Sequence, residues 1–262
     1  YLPPISFNKQ SQKINVGSLL TITGFLLSLS LIFIGYNEFN KNTVIVLVLI
    51  TISLGYIQYK RRISEILIKS ISSLSFINGS LAGVCSYYSL YTWLVITPLY
   101  LAKTYGASIT LSGFVMLPYF IAFTFSPIFA GYIGIKKDKR NLLLFGLGFN
   151  VIGLLLVVAL HSLSIWYLCI AHFVFGIGNS FINAPATALA LENVPAGQSG
   201  RMTSILYAIR WISGAIGSSV ASIIWVKFST PYTAFYIAGG ICLISIASIQ
   251  NSFAIDNKKP KI

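Results

Sequence analysis

Charge is scarce in this chain, and acidic charge is almost missing. Only 9% of the 262 residues are charged, and five acidic residues stand against eighteen lysines and arginines. Soluble domains carry about 25% charge, so this composition cannot coat a globule with polar surface. The five acids, Glu38, Glu65, Asp138, Glu192 and Asp256, all fall in loops or at the ends of apolar runs. That placement leaves no carboxylate dyad. An HExxH pair, a phosphate loop and a nucleophile elbow are equally missing, which removes the footing for an enzyme. Cysteine is sparse too. Cys85, Cys169 and Cys242 sit in separate apolar stretches without paired spacing, so neither a disulfide framework nor a metal site is implied, and no cofactor is expected. There is no signal peptide, and a chain opening on Tyr1 reads as a piece of something longer.

Apolar sequence is present in abundance. Hydrophobic residues make up 56% of the chain and mean hydropathy is +0.81. Charge-free runs cover 14–37, 42–59, 70–102, 104–135, 141–191, 211–226 and 228–255. About 20 apolar residues cross a bilayer as a helix, and the fifth run is long enough to cross twice. The chain is therefore expected to be an all-α polytopic membrane protein with about eight transmembrane helices. Drawn that way, Lys9, Lys13, Lys60, Arg61, Arg62, Lys69, Lys136, Lys137, Lys139, Arg140, Arg201, Lys258, Lys259 and Lys261 share one side of the membrane. Lys41, Lys103 and Lys227 take the other, and Arg210 lies within a span. Such an asymmetry predicts cytoplasmic termini in a multi-pass cell-membrane protein. It also explains the net charge of +13 as topology rather than a nucleic-acid footprint.

The organisation follows from the breaks. Residues 1–14 form a polar cytoplasmic linker carrying Pro3 and Pro4, and 15–59 form a hairpin of two spans, about 15–36 and 43–59. In 60–71, Ile63, Ile66, Leu67 and Ile71 recur at helical spacing with charge opposite, the pattern of a short amphipathic helix in the interface. Six further spans, about 72–98, 109–134, 141–160, 165–187, 202–226 and 232–251, make a domain over 72–251, followed by a cytoplasmic tail, 252–262. Tyr36, Trp93, Tyr100, Trp166, Tyr167, Trp225 and Tyr232 fall near predicted span ends, as an aromatic belt requires.

Three stretches carry a resemblance. GFVMLPYFIAFTFSPIFAGYIGIKKDKR holds Gly113, Pro118, Pro127 and Gly131 ahead of a basic turn. FGIGNSFINAPATALALENVPAGQSG holds a glycine-rich start, the mid-helix Pro185 and a closing VP with Gly200. MTSILYAIRWISGAIGSS places Arg210 before Gly214 and Gly217. In this order, and with this span count, the chain resembles the carboxy-terminal part of a major facilitator superfamily transporter of the fourteen-span drug:proton antiporter branch (EmrB/QacA type). The resemblance implies that 15–59 is the central hairpin, 72–251 the carboxy-terminal six-helix half, and these glycines and prolines its structural and gating positions. It further implies proton-coupled efflux of small amphiphiles in a bilayer, together with an amino-terminal half absent from this sequence. Metabolite uptake or exchange, and a non-transporting scaffold fragment, are the alternatives. Two departures stand out: Ile135 occupies the turn position where an acid is usual, and Trp211 follows Arg210 where glutamine is common. Alternating access needs two halves, so this part alone is not expected to transport.

Within the spans, polar residues offer two readings each. Arg210 lies roughly 12–14 Å into its span at ~1.5 Å per residue, and serves a cavity or gate, or else snorkels to the cytoplasm. His172, Gly176, Asn179, Asn183 and Thr187 recur at steps of three or four on one helical stripe, which lines a substrate path or bonds packed helices together. Asn78 and the i,i+4 pairs Tyr87/Tyr91 and Tyr88/Thr92 mark the most polar span. With the phenylalanines of 114–125 those tyrosines would form an adaptable aromatic pocket, or simple packing. Asn179, Asn183, Arg210, Tyr87, Tyr88, Tyr91 and Asn78 are the substrate-path candidates. With an intramembrane cation and no intramembrane anion, neutral or anionic amphiphiles are expected to be handled at least as well as cations.

Overall fold

A computed structural model describes residues 24, 28, 40–60, 71–134, 138–160 and 164–256, and all regular structure among them is helical. The chain divides into two compact units, Tyr1–Ile63 and Ser64–Ile262.

In the first unit, helix α1 (Lys41–Lys60) meets the helical residues Gly24 and Ser28. Thr51 donates to Ser28 Oγ at 2.8 Å, and Leu54 lies against Gly24 one turn away. Of the hairpin expected over 15–59, the first span lies almost wholly outside the described residues. Ile45, Leu49, Ile52 and Tyr56 remain exposed, as lipid-facing residues of a membrane helix would.

The second unit contains α2 (Leu74–Tyr105), α3 (Ile109–Gly134), α4 (Lys139–Leu160), α5 (Ile165–Ala190), α6 (Ser199–Phe228) and α7 (Tyr232–Asp256), with a 3₁₀ turn, Ala196–Gln198, leading into α6. Each overlaps a span expected from the apolar runs. Helices α3 to α7 are long and apolar enough to cross a membrane, and this is an all-α, multi-pass membrane protein. Helix α2 is the long, polar exception. Its 32 residues extend about 48 Å at 1.5 Å per residue, further than the span boundary expected at 98. Ser73 caps its start by accepting from the Phe76 N–H at 3.2 Å, and Gly106 at φ 60° ends it where an L side chain would be strained.

That extra length corrects one expectation. Trp93 and Tyr100 are not belt residues at a span end. They lie inside α2 and are buried in the core with Tyr119, Phe175 and Phe235. Trp166, by contrast, stands exposed in the first turn of α5. The interface helix expected over 60–71 lies almost wholly outside the described residues, as do 1–23, the basic turn at 135–137 and the end of the tail.

Helices α2 and α5 organise the unit: α2 packs on α5, α6 and α7, while α5 packs on α2, α3 and α4. Glycine makes the closest crossings possible. A Cβ on Gly153 would fall 2.6 Å from the Phe175 backbone, and one on Gly217 2.6 Å from the Tyr88 carbonyl. Small residues let transmembrane backbones approach where burial of apolar surface gives no net drive between helices. Among the described residues, a Cβ on Gly113, Gly131 or Gly200 would meet nothing within 4 Å, whereas one on Gly217 would meet the Tyr88 backbone and one on Gly214 the Tyr91 ring. Helix α3 runs unbroken through Pro118 and Pro127, and α5 through Pro185.

The two ends of the bundle are tied separately. At one, Lys139 meets Glu192 at 3.3 Å and Asn193 donates to Ser75 Oγ at 3.2 Å. At the other, Lys103 reaches the Ser229 carbonyl at 3.4 Å.

Candidate functional site

The polar face of α5 continues as a hydrogen-bonded line. Asn179 and Ser86 of α2 bond reciprocally: the serine hydroxyl donates to Asn179 Oδ1, and Asn179 Nδ2 donates to the Ser86 carbonyl at 3.2 Å. Both side chains are fully enclosed. One turn on, Asn183 donates to the Asn179 carbonyl at 3.1 Å, and Thr187 to the Asn183 carbonyl at 2.9 Å. Backbone carbonyls four residues back are the natural acceptors for short polar side chains inside a helix. Pro185 lies between these two steps and removes one N–H from the ladder at the same place. Asn183 and Thr187 are half-buried, so the line opens from the packed core toward a surface.

Arg210 of α6 lies at the open end. Its Nη1 donates to Thr187 Oγ1 at 3.0 Å, and its Cζ lies 5.0 Å from the Tyr207 ring centre. The side chain is 0% exposed. It lies directly over Gly83 of α2, where any Cβ would collide with Nε. Ser213 supports the turn, donating to the Arg210 carbonyl at 2.7 Å and to that of Val84 at 3.2 Å. Nε and Nη2 have no hydrogen-bond partner among the described residues.

Beside the arginine stands an aromatic frame. Trp211 meets Tyr87 edge-on at 5.5 Å and Tyr91 at 5.9 Å, and the two tyrosines stack at 6.3 Å. Gly214 gives Tyr91 its place, since a Cβ there would fall 2.6 Å from the ring. Trp211 is 56% exposed while the tyrosines are half-buried. The frame presents rings rather than hiding them.

The structure thus brings Asn179, Asn183, Arg210, Tyr87 and Tyr91 onto one face of α2, α5 and α6. It places two other candidates elsewhere. Tyr88 turns into the core. Asn78 bonds α2 to α7, accepting from Ser248 at 2.8 Å and donating to Ser252 at 2.6 Å. His172 lies at the buried end of its stripe. Its Nδ1 sits 2.9 Å from the Val115 carbonyl, which can only accept, so Nδ1 carries the hydrogen.

The phenylalanines of α3 do not join Tyr87 and Tyr91. Tyr119 and Phe123 stack at 5.8 Å in the core, and Phe125 helps line a separate apolar cavity of about 390 Å³ with Phe129, Phe145, Phe149, Phe173 and Phe181. Four participants were not among the candidates read from the sequence: Gly83, Ser86, Tyr207 and Trp211. Tyr207 was signalled by its step of three from Arg210, whereas Trp211, one step on, falls on a neighbouring side of the helix. Nothing local marks Gly83, which matters only because α6 crosses it.

A six-helix bundle with polar and aromatic residues gathered on one intramembrane face is the build of a solute transporter, and comparison with known proteins agrees. Residues 79–261 match the Major Facilitator Superfamily, and the chain belongs to that family of transporters. The riboflavin transporter RibZ of Clostridioides difficile (strain 630) is 24% identical over 265 residues, covering 94% of this chain and 58% of RibZ. The lincomycin resistance protein LmrB of Listeria innocua is 26% identical over 227 residues, 84% of this chain and 48% of LmrB. The multidrug resistance protein Stp of Mycobacterium tuberculosis is 25% identical over 142 residues, 54% of this chain and 26% of Stp. The chain therefore spans less than two thirds of the length of these relatives.

Proposed function

We propose that this chain is the distal part of a fourteen-span major facilitator protein, and that the whole protein exports small amphiphilic molecules, drugs among them, across the cell membrane. The observation that carries this reading is the face of α2, α5 and α6. Half-buried Asn183 and Thr187, the enclosed Arg210 and the exposed aromatic frame converge there, a combination that a purely structural bundle has no reason to assemble. The resemblance to the drug:proton antiporter branch makes the coupling ion a proton, and its carboxylates belong to an amino-terminal half, since the sequence between 66 and 255 carries only Asp138 and Glu192, both outside the helices. That half, the bilayer and the small-molecule substrate are the partners. Relatives named for lincomycin and multidrug resistance support export. The match to RibZ, along most of this chain, favours uptake or exchange of a metabolite as the second reading.

The test uses the whole open reading frame that contains this chain. Inside-out vesicles energised with a proton gradient should accumulate a neutral or anionic amphiphile, and a protonophore should abolish the accumulation. Asn183→Leu should lower that transport without lowering membrane abundance. Export that survives the protonophore would remove the proton, and uptake into right-side-out cells alone would favour the second reading. An abundant protein that moves nothing in either direction would leave the scaffold reading. Cytoplasmic termini are tested separately: Asn40→Cys and Ser229→Cys should both react with an impermeant thiol reagent added outside intact cells.

A further inference from the structure

The donors of Arg210 are divided unevenly. Nη1 is engaged by Thr187, while Nε and Nη2 are unpartnered among the described residues. Those two nitrogens form the side edge of the guanidinium, the planar fork that donates to both oxygens of a carboxylate at once. A guanidinium keeps its proton, and an enclosed ion without counter-charge is strongly destabilising. An arginine used only as a staple between helices would spend its donors on carbonyls, as the neighbouring asparagines and serines do.

No described carboxylate meets this edge. The sequence holds no Asp or Glu in 66–137, 139–191 or 193–255, and Glu192 is engaged with Lys139 at the bundle end. Space for the cation is nonetheless built in. Gly83 leaves the space that Nε and the arginine stem fill against α2, and Thr187 holds Nη1. Arg210 lies eleven residues into α6, about 16 Å from its start.

We propose that the Nε–Nη2 edge of Arg210 is the binding point for the carboxylate of an aromatic amphiphile, whose ring packs on Tyr87, Tyr91 and Trp211. The proposal rests on the transport reading and names the substrate class for the same face. Tyr207, 39% exposed, lies against the guanidinium and covers it in this structure. The carboxylate supplies the missing counter-charge, and the aromatic frame holds any flat apolar body of matching size, so charge selection belongs to Arg210 and retention to the rings.

The experiment measures binding, apart from transport. The whole protein in lipid nanodiscs is incubated with tritiated 1-naphthylacetate, and unlabelled 1-naphthylacetamide and 1-naphthylmethyl-trimethylammonium compete. The anion should bind at least about tenfold more tightly than either, the range expected for charge-assisted hydrogen bonds. Arg210→Gln should bring the three within about twofold of one another, and Arg210→Lys, which keeps the charge but not the fork, should fall between. Trp211→Ala should weaken all three alike. Should Arg210→Gln fail to accumulate, the lysine and Trp211 variants still separate fork from charge and from ring. Equal binding of the three ligands by the wild type, or none, overturns the site. So does an anion preference that survives Arg210→Gln. Selective anion binding without movement in vesicles would instead sink the transport reading and leave the site standing. Movement of the neutral amide with no anion preference would do the reverse.

Discussion

Two of the polar contacts of helix α2 have opposite outcomes. Near its start, Asn78 is closed: its oxygen accepts from Ser248, its nitrogen donates to Ser252, and the side chain is buried. About one and a half turns on, it crosses Arg210 at Gly83, where Nε and Nη2 of the guanidinium are left over. Both contacts place polar atoms inside an apolar bundle, where each unsatisfied group costs free energy. In the first the neighbouring helix satisfies them. In the second the cost stands, and it falls at the only described intramembrane cation. A polar residue in a membrane helix is therefore not a site by virtue of its polarity. At these two crossings the difference is how far the partner helices have used the donors and acceptors.

That contrast can be broken by forcing the helices apart at a crossing. Gly217→Leu puts a side chain against the Tyr88 backbone, which cannot yield as a flexible side chain would. Overpacking of this kind should cost about 3 kcal/mol, seen as a smaller folded fraction on size-exclusion chromatography, with the Asn78 and Arg210 crossings both disrupted. Asn78→Leu tests the closed contact alone. It should lower stability by about 1 kcal/mol, the scale of interhelical hydrogen bonds in membranes, and leave transport per folded molecule unchanged. A thermal melt in detergent beside a vesicle assay reads both quantities, and transport falling out of proportion to stability would move Asn78 into the path.

The open contact predicts the opposite division. Asn183 bonds only to a carbonyl of its own helix and is half-buried. Asn183→Leu should change stability by less than about 0.6 kcal/mol while reducing transport severalfold. The smallest effect on transport belongs to the surface. Lys139 and Glu192 are 45% and 41% exposed, so Glu192→Gln should cost at most about 1 kcal/mol and less in high salt. A larger loss, insensitive to salt, would mean that this end of the bundle carries more than a surface ion pair.

Much of the architecture was legible because a bilayer imposes a coarse rule. An uncharged run of some twenty residues must be a helix, since no other element satisfies its backbone in hydrocarbon. That rule placed α3 to α7 within a few residues of their observed bounds. It underestimated α2, whose Lys103 lies on the last turn rather than beyond the span, and so put Trp93 at an edge when it is in the core.

Periodicity carried the reading of the site only as far as one helix. It set Asn179, Asn183 and Thr187 in a line on α5, and that line exists. It could not say that Ser86 closes its inner end while Arg210 takes its outer one, because those partners lie 93 and 23 residues away. Nor could it separate Asn78 from Asn183, two asparagines in equally apolar surroundings. The sequence alone determined that the chain is a membrane bundle, that its cations are unequally distributed, and that Arg210 has no acid in its own spans. Tertiary structure decided which polar groups are satisfied, since that depends on what the neighbouring helix presents at the crossing. Gly83 is the plainest case: its meaning is the space it leaves for the arginine of another helix.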